Sequence, residues 1–348
     1  MKLWMCPSLF ALLVTAAVAA ASDGPAPAPP LADDAPLEEV VVNGEFPGPG
    51  MWKVTRPDDA SAHALWIIGD PPPLPKKMKW KSTAVEAVAG SAAEILRDAS
   101  VSMRLDEDIG LFRGLTLLPA LLKARKNPDE GRLEQLLPPD LYARWRVQKK
   151  LYLGRESGVE EWRPIFAADK LRKAAFEDLK LRESGMVWEV VERLAKQKKI
   201  PVNSPTLKFT ARRADLRAKL KEFSRESLAD VECFATTLDL TEALSDHETE
   251  SSRARAWATG DLETLAALPP LPSPSLPCVM AVMSSQVARE MIPADIREQL
   301  QQLWTASAEQ SLAAKQTTFA IVPLAKLTRD DGYLARLRAR GYLIEAPR

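Results

Sequence analysis

The stretch His63-Ala64-Leu65-Trp66-Ile67-Ile68-Gly69-Asp70 runs directly into Pro71-Pro72-Pro73-Leu74-Pro75. Leu65 to Ile68 follow one another without a polar break, the pattern of a strand covered on both faces. Gly69 and Asp70 then stand at its C-terminal edge, where layered α/β proteins gather ligands and catalytic groups. The prolines remove backbone donors at that same edge. His63, the nearest imidazole in sequence, precedes the strand and belongs to its other end.

Upstream, Met51-Trp52-Lys53-Val54 follows the rigid turn Pro47-Gly48-Pro49-Gly50 and is spaced for a hairpin with the 63–68 strand. Downstream, Thr83 and Glu86 have capping-box spacing. Val85, Val88, Ala89, Ala92 and Leu96 form a stripe that predicts a helix ending near Asp98. Ala99 to Leu105 alternates, with Val101, Met103 and Leu105 on one face, and predicts a second strand. The order strand–helix–strand indicates a layered α/β unit.

From Leu111 to about Met186 the composition turns helical, broken by Pro128, Pro138-Pro139 and Pro164. This segment reads either as a helical subdomain inserted in the sheet order or as a cap over its edge. Pro139-Asp140 opens a helix with Leu141, Trp145 and Val147 on one side, continued by Leu151 and Tyr152. Trp162-Arg163-Pro164 reads as a docking turn, and Trp188 to Leu194 as a helix before a short strand start at Lys198–Val202. A helix is predicted over Ser224–Leu244, with Leu228, Val231, Phe234, Leu238 and Thr241 as its stripe. Another spans Glu248–Thr259, with Gly260 at C′ and Asp261 capping the next turn. A Pro-rich loop over 269–277 delivers Cys278. The helix begun at Ile292-Pro293-Ala294-Asp295 carries Ile296, Leu300, Leu303 and Trp304 and continues through Leu312. Thr318 to Val322 is the second uninterrupted strand and stops at Pro323. Asp330 is expected to cap a helix bearing Leu334 and Leu337 that ends at Gly341, before a last strand at Tyr342-Leu343-Ile344.

The chain has 348 residues, 46% apolar and 27% charged, enough for a substantial buried core. Lys+Arg and Asp+Glu each total 47, so no global field steers it onto nucleic acid. Residues 1–21 have the parts of a signal peptide: Lys2, an apolar run from Phe10 to Ala20, and small residues before Ser22. Residues 22–38 read as a Pro/Ala-rich linker, and Val40–Val42 with Asn43-Gly44 as a short β-prone run and turn. No later stretch is long and apolar enough to span a bilayer. The expectation is a soluble protein, periplasmic or secreted. Cleavage would leave two of the three cysteines, Cys233 and Cys278. An oxidising compartment favours a disulfide between them; two buried thiols that never meet is the competing reading.

Candidate chemistry is sparse. The two histidines, His63 and His247, read as structural or surface residues, and no HExxH, paired-His or CxxC spacing occurs. An all-oxygen metal site would have to draw on Asp70, Asp106, Glu107 and Asp108. No G-x-S-x-G elbow is present, the concentrated glycines Gly48 and Gly50 alternate with proline, and no carboxylate pair stands out for glycoside hydrolysis. The lysines Lys76, Lys77, Lys79 and Lys81 form a local basic cluster, either a solvated surface or an anion contact.

Four segments, Leu65-Trp66-Ile67-Ile68-Gly69 with Leu74-Pro75, Trp80…Ser82…Val85-Glu86, Trp257-Ala258-Thr259-Gly260-Asp261, and Leu334 to Tyr342, stand out together. With them the chain resembles the TraB/GumN family, related to the Tiki and erythromycin-esterase-like group, over about residues 45–346. The resemblance implies a single domain over 39–348: a mixed α/β fold, its central sheet flanked by helices, with a largely helical insertion at about 111–197. Active relatives carry Gly-Thr-x-His after an early strand; here Gly69 is kept, but Asp70 and Pro72 replace threonine and histidine. At the second motif, Gly-x-x-His, this chain has Pro323-Leu324-Ala325-Lys326. The acidic residue after the second strand is matched only by Asp106, and Ala306–Ala314 lacks the arginine usual in the family. In some relatives these groups support metal-dependent peptide hydrolysis. Loss of both motif histidines points to a pseudoenzyme with a binding or structural role in the cell envelope, with no cofactor expected. Its partner would be an unidentified peptide, glycan or envelope protein, with Lys76, Lys77, Lys79 and Lys326 as candidate anion contacts. The alternative is a divergent metal-dependent hydrolase using Asp70 and other carboxylates near the degenerate motif around a divalent metal.

Overall fold

The computed structural model describes residues 48–57, 63–71, 73–105 and 117–347. The signal-peptide, linker and Val40–Gly44 expectations lie outside these residues, as do Pro72, Asp106, Glu107 and Asp108. In chain order the strands are β1 (Met51–Thr55), β2 (Ala64–Asp70), β3 (Leu74–Pro75), β4 (Glu94–Arg97) and β5 (Ser100–Leu105). They continue with β6 (Leu181–Arg182), β7 (Val202–Asn203), β8 (Thr206–Ala211), β9 (Thr317–Pro323) and β10 (Leu343–Glu345). The main sheet has the order β10-β1-β2-β9-β4-β7. β2, β9, β4 and β7 are parallel, while β1 pairs antiparallel with both β2 and β10, so the sheet is mixed. Two-stranded pairs β5–β8 (parallel) and β3–β6 (antiparallel) complete the strands described.

The two uninterrupted apolar runs lie side by side, in register from Ala64 against Thr317 to Asp70 against Pro323. Their side chains alternate between two cores, as strand geometry requires. Leu65, Ile67, Ala320 and Val322 face one core with Trp304, Ala308 and Leu312 of the helix Ile296–Ala314 and Leu334 and Leu337 of the helix Tyr333–Ala339. Ile68, Phe319, Ile321 and Ile95 face the other, against the helices Thr83–Ser91, Met186–Lys198 and His247–Thr259. The fold is therefore mixed α/β with helices on both faces of the sheet. Among the described residues no helix is long and apolar enough to cross a membrane.

A third core is wholly helical. Leu141 and Trp145 of the helix Pro139–Tyr152 and Ala167 and Leu171 of the helix Pro164–Asp178 meet Phe234 and Leu238 of the helix Val231–Ala243. This lobe thus combines segments far apart in sequence, while the helix Met186–Lys198 lies on the sheet instead. Arg163, only 1% exposed, fastens the lobe at the predicted docking turn. Its guanidinium donates to the carbonyls of Lys126 (3.1 Å), Phe223 (2.7 Å) and Glu226 (2.7 Å) and lies over the Phe223 ring.

Several sequence expectations are corrected. The helix from Thr83 ends at Ser91, and Ile95 and Leu96 belong to β4. Ala92 and Leu96 fit a helical period, but Ile95 and Leu96 are buried on opposite faces of the sheet, which only a strand allows. No Thr83 capping box forms; Ser82 occupies the N-cap position and its hydroxyl donates to Glu86 at 2.6 Å. Val147 and Leu151 are exposed, and Gln148 takes the buried place one turn beyond Trp145. The helix expected from Ser224 starts at Val231, after a turn in which Asp230 accepts from the Ile165 amide. Cys278 lies on a helix, Ser275–Met283, with Pro277 tolerated in its first turn. Gly332, not Asp330, is the N-cap of the last helix.

The helix expected over Glu248–Thr259 spans His247–Thr259, and its Gly260 end and the Asp261 cap of the next turn are as the sequence suggests. Asp246 accepts from the Thr249 amide, Gly260 adopts φ +73° and Asp261 accepts from the Thr264 amide. The Cys233 and Cys278 sulfurs are at bonding distance and join the helices Val231–Ala243 and Ser275–Met283 across a sequence separation of 45 residues. Closing such a loop restricts the unfolded chain. Replacing both cysteines by alanine is expected to lower stability by about 2–4 kcal/mol, read as a reduced urea midpoint under non-reducing conditions.

Candidate functional site

The parallel register brings the C-terminal ends of β2 and β9 together. Gly69 is level with Val322 and Asp70 with Pro323, so β2 and β9 end together at one sheet edge. Arg97 and Asp98 reach the same edge at the end of β4, which pairs with β9.

Gly69 is held by packing. A Cβ built there would lie 2.5 Å from Leu324 Cδ1, so the absence of a side chain admits Leu324 over the strand end. The Trp257 indole N–H donates to the Gly69 carbonyl at 3.2 Å, and Trp80 meets Trp257 edge to face. The cavity left beside Gly69, Trp257 and Leu324 measures about 10 Å³. That is no more than one water requires.

Asp70 is half-buried. Its Oδ2 accepts from the Gly185 amide at 3.3 Å, and its Oδ1 is enclosed without a hydrogen-bond partner among the described residues. Gly185, at φ +88°, is the N-cap of the helix Met186–Lys198, so the Asp70 carboxyl sits at that helix's positive end. Burial pushes the Asp70 carboxyl above the usual carboxylate range; the Gly185 amide and the Arg97 guanidinium oppose this and do not overcome it. Arg97 itself lies over the Trp188 ring, 4.1 Å from its centroid. Sequence reading missed Arg97, Gly185 and the Trp257–Gly69 bond.

Lys326 pairs with Asp98 at 2.6 Å, and Tyr333 OH donates to the other oxygen of Asp98 at 2.7 Å. Tyr333 is buried and stacked on Trp304 at 4.0 Å; burial, then the Asp98 charge, pushes its phenol well above the ordinary range. The basic cluster is placed elsewhere: Lys76, beyond β3, pairs with Glu177 at 2.6 Å, and Lys77, Lys79 and Lys81 are exposed. His63 is half-buried, its Nδ1 3.1 Å from the Leu312 carbonyl, and His247 is exposed at the start of its helix. Among the described residues no three His, Cys, Asp or Glu side chains converge as a metal site.

The fold is that of a mixed α/β protein whose β2 and β9 end side by side at one sheet edge. The family model for the TraB/PrgY/gumN family matches residues 50–346, and the chain belongs to that family. No curated protein and no solved structure matches it.

Two outcomes test this geometry. Gly69→Ala is expected to cost about 1–3 kcal/mol by overpacking, and less in a Leu324→Ala background; equal costs in both would contradict the contact. For Asp70, a raised folded-state pKa means a stabilising contribution present below the unfolded value, near pH 4, and lost as pH rises through the folded value. The stability of the wild-type chain relative to Asp70→Asn should therefore fall with rising pH across that window and then level off, as followed by urea titration at a series of pH values.

Proposed function

We propose that this chain is an exported, non-catalytic member of the TraB/PrgY/gumN family with a binding or structural role in the cell envelope. The observation that carries this reading is Leu324 seated on Gly69, which occupies the space a reacting group would need at the strand end. The polar groups around it are committed to structure: Asp70 to a helix N-terminus, Lys326 and Tyr333 to Asp98. The partner remains a peptide, glycan or envelope protein. Anion binding by Lys76 and Lys326 requires opening their pairs with Glu177 and Asp98.

One observation favours the other reading, a divergent metal-dependent hydrolase. Asp70 Oδ1 is an enclosed acceptor without a partner, an arrangement that costs stability unless something fills it. The deciding experiment incubates the purified chain and its Asp70→Asn variant with Mn²⁺, Co²⁺ or Zn²⁺ and a peptide library, reading cleavage by mass spectrometry. No chelator-sensitive cleavage is expected from either protein. Cleavage that a chelator abolishes, and that Asp70→Asn lacks, would establish the hydrolase instead.

A further inference from the structure

Away from the sheet edge, the helical lobe contains an open cleft of about 670 Å³. That volume lies within the range of small-molecule sites, roughly 300–1,000 Å³. One wall runs from Lys123 to Arg132, a second is the turn ending at Glu161, and a third is Ser224-Arg225. Buried groups hold these walls together. Arg163 ties Lys126 to the turn after Phe223 through three carbonyls. Asn127, itself buried, donates its side-chain amide to the carbonyls of Trp162 (2.8 Å) and Gly131 (3.0 Å), while its backbone amide donates to the Glu161 carbonyl (2.9 Å). Asp129 and Glu130 form the tip of the first wall, with consecutive left-handed φ of 53° and 57°. Two such non-glycine residues in succession are strained, and the Asn127 and Gly131 hydrogen bonds hold them there.

The charges at the mouth take no part in that frame. Lys126 pairs with Glu161 at 2.7 Å. Lys123, Arg132 and Arg225 are exposed, line the cleft and make no salt bridge among the described residues. Asp129 and Glu130 are likewise exposed and without an ionic partner there. A frame fixed from beneath carries three cations outside salt bridges at its mouth, of which Arg132 also helps hold the Glu161 carboxyl below the usual range after Lys126, and this excess of positive charge suits an oxyanion. The two carboxylates disfavour a polyanion by repulsion and accept hydrogen bonds from hydroxyl groups.

We infer that this cleft binds a small hydroxyl-rich molecule carrying a single oxyanion group, a sugar acid or a sugar phosphate, with Arg132 and Arg225 as its anion contacts. The inference stands on the cleft alone and does not depend on the state of the sheet edge.

The test is calorimetric titration of the full chain with glucuronate, glucose 6-phosphate, glucose and citrate. Millimolar or tighter binding of glucuronate or glucose 6-phosphate is expected, with glucose and citrate weaker; whichever acid binds tighter identifies the oxyanion. Removing Arg132 or Arg225 by alanine substitution should weaken that binding about tenfold each. Both side chains are exposed, so melting curves should stay unchanged. The paired change Asp129→Asn and Glu130→Gln should raise citrate affinity. The inference is overturned if neither acid binds at millimolar concentration, if glucose binds as well, or if the Arg132→Ala/Arg225→Ala chain binds unchanged.

Discussion

The parallel pairing of β2 with β9 is the constraint on which the rest of this structure depends. Seven residues of each strand lie in register, and both strands are covered on two faces. Each run therefore supplies side chains to both cores at once, and a slip by one residue would exchange every contact between them. The helices Ile296–Ala314 and Met186–Lys198 can only be on opposite sides of the sheet because the strands alternate in this way. The position of Asp70 next to Pro323 is a consequence of the same register.

At the end of that pair, close packing and polar satisfaction work together. Gly69 lets Leu324 approach, and Trp257 then spans the strand end with its indole donating to the Gly69 carbonyl. Asp70, on the opposite face of the strand from Gly69, is pushed above the usual carboxylate range by its own burial in spite of the Gly185 amide and the Arg97 charge. On the far side of β9, Asp98 collects Lys326 and Tyr333, so a buried phenol and a surface ammonium share one acceptor. The edge of this TraB/PrgY/gumN-family protein is thus rich in polar residues whose bonding capacity is largely spent on holding elements to the sheet.

The helical lobe follows a different logic. Its core is small, and a buried guanidinium with three carbonyl acceptors takes the place of further apolar contact at the point where loops converge. Burial lowers the affinity of Arg163 for its proton while Asp230 and Glu226 support the charge, so the residue is retained as a cation at a cost that its hydrogen bonds offset. The Cys233–Cys278 link then fastens a neighbouring helix whose other face, at Leu276, Val279 and Met280, is exposed. Loops held in this way form the frame beneath the cleft, whose mouth carries the Lys126–Glu161 pair and the exposed Lys123, Arg132 and Arg225.

By itself the sequence determined the elements whose signals are local: the uninterrupted strands β2 and β9, the β1 hairpin, and the Gly260-terminated helix, read over Glu248–Thr259 and found over His247–Thr259. β4 escaped because Ala92 and Leu96 satisfy a helical period as well as a buried strand does, and only its neighbours β9 and β7 decide between them. β8 and the helix Arg213–Phe223 were passed over because short, half-exposed elements leave little periodic signal. The partners that give the edge and the cleft their character are Gly185 to Asp70, Trp257 to Gly69, Tyr333 to Asp98 and Arg163 to Glu226. Each joins residues far apart in the chain. Only the tertiary structure could decide them, because a hydrogen bond depends on where two atoms finish in space, and periodicity records only which face of its own element a side chain occupies.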